Sequence, residues 1–307
     1  MSYEQSPDFK PVFADPRTDF TFKRIFGAQD HKGVLIHFLN AILKLPKERL
    51  IVDVTHVPHD QVPLIDELKY SIVDVKCVDS LDNSYIIEMQ IAHHDGFEAR
   101  VVYNAAKAFS SQLKKAGDYA SLCDVYGITI CDFVLWPEKD VPMLSHWRMT
   151  EKSSGVPGLS QIQHVFLELP KYAAGENPKL ITDKWAYFFR EADNFRVIPP
   201  ALQDEPFQEA FDVLTTSKFS VKDLEAYEKS LDRDRVTRGI YRKGQQEGVV
   251  LGKAEGIAEG MVLGEAKGKA ERETEIALNL HHIGLDLQAI SKATGLSTES
   301  LEKIFKK

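Results

Sequence analysis

Two acids and an amide stand at a spacing that could do chemistry: Asp74, then 13 intervening residues, then Glu88-Met89-Gln90. Each acid lies in a stretch rich in β-branched residues, Ser71 to Val78 and Tyr85 to Ile91, and such stretches read as strands. The polar run Asp79-Ser80-Leu81-Asp82-Asn83-Ser84 between them reads as a hairpin turn. With that turn centred between Leu81 and Asp82, Val78 falls opposite Ser84 and Asp74 opposite Glu88. Opposed residues of an antiparallel pair hold their Cβ atoms roughly 4.5–5.5 Å apart. Two carboxylates that close repel unless a cation lies between them, and a divalent metal is the usual resolution. A slip of one residue would send the acids to different faces.

Gln90 follows Glu88 by two and so shares its face. Asp74 and Glu88 would hold Mg2+, which would polarise a phosphate and acidify a water. Gln90 would orient that water or a phosphate oxygen, since an amide is no general base near neutral pH. The other face carries Val73, Val75, Cys77, Ile87, Met89 and Ile91 and is expected to pack. The competing account is a solvated polar face of an ordinary strand pair. Asp and Glu are poor strand formers, however, so acids at these positions ask for a reason.

The elements around the hairpin follow from pattern. Asp19-Phe20-Thr21-Phe22-Lys23-Arg24-Ile25-Phe26-Gly27 reads as a short amphipathic helix closed by glycine, after an extended arm over residues 1–18. Val34 to Leu43 reads as a second helix and Leu50 to Val57 as a strand. Glu98 to Lys115 reads as a long helix ended near Gly117, and Val125 to Leu135, almost continuously apolar, as a central strand. The order is helix, three strands, helix, strand. Gln161 to Leu169 reads as a further strand and Asp183 to Arg190 as a further helix; from Ala201 onward the pattern is helical. On the helix after the hairpin, Arg100, Tyr103 and Lys107 are three and four apart and share a face. That face could contact phosphates or simply be solvated.

Composition narrows the options. With 43% apolar residues in 307, the chain can bury a sizeable core. Three cysteines, Cys77, Cys123 and Cys131, make neither a disulfide framework nor a metal set and fit a reducing compartment. The opening residues lack the apolar block of a secretory signal, and no run is long enough to span a membrane. A cytoplasmic protein is expected. The net charge of −8 counts against nucleic-acid binding. The first 140 residues share that bias, with 15 Lys and Arg against 21 Asp and Glu. Bound cations and a local basic groove can offset such a balance. His93-His94-Asp95 lacks a third ligand at a useful spacing and reads as a loop. No glycine-rich phosphate loop of the GxxxxGK[ST] type occurs, so nucleotide hydrolysis has no support.

Asp74 with Glu88-Met89-Gln90 resembles the signature of PD-(D/E)XK nucleases, and more narrowly their recombination-promoting nuclease and transposase branch (Rpn). The similarity runs through Thr18 to Gly27, Asp74-Val75-Lys76 with Asp79, and Ile87 to Gln90. It continues through Arg100, Tyr103, Lys107, Gln112-Leu113, Gly117, Tyr119, Leu122, Val125-Tyr126 and Asp132-Phe133. The resemblance is close over residues 15–135 and loose beyond. It implies an α/β restriction-endonuclease-like core, DNA as substrate, and Mg2+ as cofactor, with Mn2+ or Ca2+ as alternatives. It also implies that Asp19 and Lys23 approach the site from the first helix, and that Arg100, Tyr103, Lys107 and Gln112 lie near DNA. Helix capping by Asp19 and a surface Lys23 are the other reading. The superfamily's usual Lys two residues after the acid is here Gln90. Lys76, on the expected face of Asp74, could partly substitute, or be a solvated strand lysine.

Downstream, Gly244, Gly248, Gly252, Gly256, Gly260, Gly264 and Gly268 recur at every fourth position. Each costs about 0.8–1 kcal/mol relative to Ala inside a helix, so something must pack into the stripe. Glu255, Glu259, Lys253 and Lys267 exclude a membrane helix, which leaves self-association through close helix packing or a partly helical linker. The tail around Thr294-Gly295-Leu296-Ser297 looks like the start of a helix-turn-helix, but its last helix is not basic, and an assembly hairpin fits better. The expected division is a nuclease core over 1–200, a connector over 201–243, an oligomerisation helix over 244–274 and a helical tail over 275–307. The resemblance also allows a separately made C-terminal fragment that inhibits the nuclease. The leading expectation is a metal-dependent DNA endonuclease acting in recombination, on mobile elements or against foreign DNA. The rival is a catalytically weak DNA-binding assembly protein on the same fold.

Overall fold

A computed structural model describes residues 11–58, 60–61, 71–113 and 118–305. The chain runs α1 (Asp19–Phe26), α2 (Lys32–Leu43), β1 (Val54–His56), β2 (Asp60–Gln61), β3 (Ser71–Ile72), β4 (Val75–Asp79), β5 (Ser84–Gln90) and α3 (Phe97–Ser110). It continues with β6 (Val125–Cys131), β7 (Leu144–Trp147), β8 (Ile162–Glu168), α4 (Ile181–Glu191), α5 (Glu205–Leu214), α6 (Val221–His282), α7 (Leu287–Thr294) and α8 (Thr298–Phe305). The expected end of the long helix near Gly117, and most of the N-terminal arm, lie outside the described residues.

Six strands form one sheet in the order β1-β4-β5-β6-β8-β7. The β4–β5 hairpin is antiparallel, β5, β6 and β8 run parallel, and β7 closes the far edge antiparallel. A parallel neighbour requires a crossover, and α3 supplies the one between β5 and β6. Both central strands are buried along nearly their whole length, which is why they read as continuous apolar runs. The edge strand β7 escaped the sequence reading, since Leu144-Ser145-His146-Trp147 is too short to show a period.

Helices α1, α2, α4 and α5 cover one face. Phe22, Phe26, Phe38, Trp185, Phe189 and Phe207 interlock there beneath Ile87, Ile128 and Val165. On the other face α3 packs Val101, Ala105 and Ala108 against Ile86, Val125, Cys131 and Phe166. Helix α1 begins at Thr18, whose hydroxyl accepts the Thr21 N–H at 3.3 Å, and ends at Gly27. A Cβ on Gly27 would come 2.6 Å from the Lys23 carbonyl, so this helix end has room only for glycine.

The hairpin has the expected register, with Val78 opposite Ser84. Its turn is tied by Asp79, whose Oδ1 accepts the N–H groups of Leu81 and Asn83 and whose Oδ2 accepts the Tyr85 hydroxyl at 2.7 Å. The expected strand Ser71 to Val78 is not continuous, however. The ladder ends at Val75 opposite Ile87, and Asp74 sits in a bend one residue beyond it. That bend breaks the alternation. Val73, expected on the face of Val75, packs instead with Ile86 and Ala105 beneath α3.

The chain divides into two compact units between Tyr241 and Arg242. Residues after 201, expected as a connector, add Phe207, Phe211, Leu214, Phe219 and Tyr227 to the first unit's core. In the second unit, Ala277, Ile290 and Leu301 bury one another where α7 and α8 fold against the end of α6, and Gly295 caps α7 at φ 77°. The glycine ladder lies in helix, and a Cβ placed on any of its seven glycines meets nothing within 4 Å.

Candidate active site

Glu88 projects from β5 toward α3, at 5% exposure. Asn104 of α3, itself 3% exposed, donates from Nδ2 to Glu88 Oε1 at 2.9 Å. Burial raises the Glu88 carboxyl to about 7; the charge of Asp74 adds to this, while Arg100 and the Asn104 hydrogen bond oppose it. Asp74 reaches from the bend so that its Oδ2 accepts the Met89 N–H at 2.8 Å. Burial lifts Asp74 to about 6 against that hydrogen bond, with Asp19 adding and Lys23 and Arg100 opposing. Both neighbouring carboxyls are therefore harder to ionise than usual, a cost that a cation between them would relieve.

Three of the expected site residues act on this pair, and two more, Gln90 and Lys76, lie on the hairpin strands. Lys23 and Asp19 form an ion pair at 2.7 Å on α1, and both act on Asp74. Arg100 acts on both acids. Its Nε and Nη2 are buried without a hydrogen-bond partner among the described residues, and its guanidinium carbon lies 5.8 Å from the Phe97 ring. Gln90 ends β5 half-buried, two residues beyond Glu88, and its carbonyl accepts the Asp132 N–H at 2.8 Å. Lys76 lies opposite Ile86 on the α3 side of the sheet, half-buried, and burial lowers its ammonium group. On α3 the Lys107 ammonium stands 5.6 Å from the Tyr103 ring centroid.

Gln112 is placed elsewhere. Its amide clamps the Cys123 backbone, donating to the carbonyl at 3.0 Å and accepting the N–H at 2.8 Å. Cys123 precedes β6 at the end where Val125 pairs with Ser84, the far end of β5 from Gln90.

Two features escaped the sequence reading. Asn104 is one; its signal was a polar residue in the inward stripe Val101, Asn104, Ala105, Ala108. The other is an ion cluster at the end of β6. Arg17 grips Asp15 from Nε and Nη2 at 2.9 and 3.0 Å and also faces Asp132 and Asp193. Arg238 of α6 meets Asp132 at 2.8 Å. Its members lie up to 223 positions apart in the sequence, and no local pattern links them.

Among the described residues, no three or more His, Cys, Asp or Glu gather into a metal cluster. Two adjacent carboxylates suit a cation that keeps most of its waters, as Mg2+ does.

Among proteins already characterised, no curated sequence and no solved structure matches the chain. The model of one family, described as PD-(D/E)XK nuclease family transposase, matches residues 16–237, from before α1 into α6. The mixed α/β sheet with its long C-terminal helix is consistent with that fold, and membership implies a hydrolytic nuclease. The matched stretch is well over half of the chain and contains both acids, so this protein belongs to the PD-(D/E)XK nuclease family of transposases.

Proposed function

We propose that the protein is a divalent-metal-dependent DNA endonuclease whose metal is held by Asp74 and Glu88. The observation that carries this reading is the acid pair itself, buried Glu88 raised by the charge of half-buried Asp74, with Arg100 acting on both. A bound Mg2+ or Mn2+ would supply Lewis-acid polarisation of the scissile phosphate and a more acidic attacking water. The chain's own residues do the rest. Nε and Nη2 share one edge of the Arg100 guanidinium, and that fork matches two oxygens of a phosphate. Gln90 orients the attacking water or a phosphate oxygen through its amide. Lys76 and Lys23 offset the negative charge of the bound backbone. Tyr103 and Lys107 extend this contact along α3. Gln112 braces α3 against β6.

The setting proposed is recombination, mobile-element movement or defence against foreign DNA. Self-association through the glycine helix completes the proposal. The apolar triplets Val249-Val250-Leu251 and Met261-Val262-Leu263 are exposed along that helix and support it. A separately made C-terminal fragment would bind the same helices. The test is nicking of supercoiled plasmid by purified protein with Mg2+, with Mn2+ and with EDTA. Nicking with metal and none with EDTA is expected; no nicking under either metal would favour a DNA-binding assembly protein.

A further inference from the structure

Among the described residues, one hydrogen bond reaches the Glu88 carboxylate: Asn104 Nδ2 to Oε1. Asn104 occupies a core-facing turn of α3, with apolar Val101, Ala105 and Ala108 as its inward companions. An amide costs free energy in such a place unless it is hydrogen-bonded. Here only half of it is, since Oδ1 is buried without a partner. A leucine would fill the same volume in that stripe but would leave the buried Oε1 without its donor, so the asparagine is explained by the carboxylate and not by packing. What the amide accomplishes is to fix Oε1. A cavity of about 10 Å³ borders Glu88, Asn104, Gly127 and Thr129. It has space for no more than about one water, so solvent offers little alternative means of orienting the carboxylate.

We propose that Asn104 is a positioning residue for the metal site: by pinning Oε1 toward α3 it turns Oε2 of Glu88 toward the cation shared with Asp74. The proposal rests on the metal-dependent reading above. Carboxylate ligands are commonly oriented by such outer hydrogen bonds, and their loss costs about 10–100-fold in metal affinity.

The test is calorimetric titration of the full chain with Mn2+ alone, for wild type, Asn104→Leu and Asn104→Ala, beside melting curves in EDTA. Leu keeps the volume and Ala does not, and neither has a donor, so either folded variant decides the question. Expected is an Mn2+ Kd raised about 10–100-fold in variants whose EDTA melting stays within about 10 °C of wild type. In plasmid nicking the loss should fall on kcat, with KM for DNA unchanged. Wild-type Mn2+ affinity in a folded variant would overturn the role of Asn104 alone. Absence of Mn2+ binding by the wild type would overturn the metal reading itself, and this proposal with it.

Discussion

The Met89 N–H donates to Asp74 Oδ2 at 2.8 Å, in the place where a continued ladder would have offered it the carbonyl of Val73. A side-chain carboxylate has replaced a backbone acceptor. The strand therefore stops at Val75, and the acid is drawn beside Glu88 by a bond to the residue next to it. The bond separates two functions of Asp74. Asp74→Asn keeps an acceptor but removes the charge, whereas Asp74→Ala removes both. In EDTA at pH 8, Asp74→Asn should be at least as stable as wild type. Asp74→Ala should be less stable than Asp74→Asn by about 1–3 kcal/mol, the cost of a buried unpaired donor. Urea unfolding checks this, and equal midpoints for the two variants would speak against the bond.

Both acids titrate above the ordinary carboxylate range, Asp74 at about 6 and Glu88 at about 7. At these two carboxyls the folded chain binds more protons than the unfolded chain between about pH 4 and pH 7, so their contribution to metal-free stability falls as pH rises through that window, while His37, His146 and His164, lowered by burial, act with the opposite sign. Asp193 and Asp234, lifted by burial to about 6, contribute with the same sign as Asp74 and Glu88. Glu88→Gln isolates the site: its loss of stability between pH 5 and pH 8 should be smaller than that of wild type by about 1–3 kcal/mol. Saturating Mg2+ should flatten the wild-type slope in the same way. Parallel slopes for wild type and Glu88→Gln would mean that Glu88 titrates normally.

Arg100 should not tolerate its usual substitute. Lysine keeps the charge but not the two-nitrogen edge. Arg100→Lys should lower kcat/KM for DNA cleavage about 10–100-fold, the equivalent of one charge-assisted hydrogen bond, while melting stays near wild type. Full activity in Arg100→Lys would remove the guanidinium fork from the account.

Gln112 should behave in the opposite way. Gln112→Ala breaks two bonds to Cys123 and should cost about 1–2 kcal/mol of stability. Cleavage by the folded fraction should be little changed. A selective loss of DNA affinity, with melting untouched, would return Gln112 to the substrate.

The glycine helix makes a separate prediction. Leu has a higher helix propensity than Gly, and nothing adjoins Gly256 within 4 Å, so Gly256→Leu should stabilise the isolated helix by about 0.5–1 kcal/mol. If the stripe is an interface, the same change should shift sedimentation toward monomer. Unchanged sedimentation would make the helix a spacer.

Much of the scaffold was legible because its signals are local. Thr18 and Gly27 mark the ends of α1, β-branched runs mark the hairpin, and the polar turn sets Val78 opposite Ser84. The break at Asp74 was not legible, because alternation assumes that backbone acceptors continue, and here a side chain supplied one. The bonds of Gln112 to Cys123 were not legible, because a helix pattern gives a residue's face but not which end of the sheet it reaches. The Arg17, Asp132 and Arg238 cluster joins residues far apart in the chain by ion pairs that leave no period.

Single-turnover nicking of supercoiled plasmid, comparing wild type with Asp74→Ala and Glu88→Gln at saturating Mn2+, tests the central claim most directly. Losing a metal ligand should remove several kcal/mol of transition-state stabilisation, so the account predicts rates lower by about 1,000-fold in both variants. Wild-type rates in either folded variant would mean that the acid pair is not where the phosphodiester is cut.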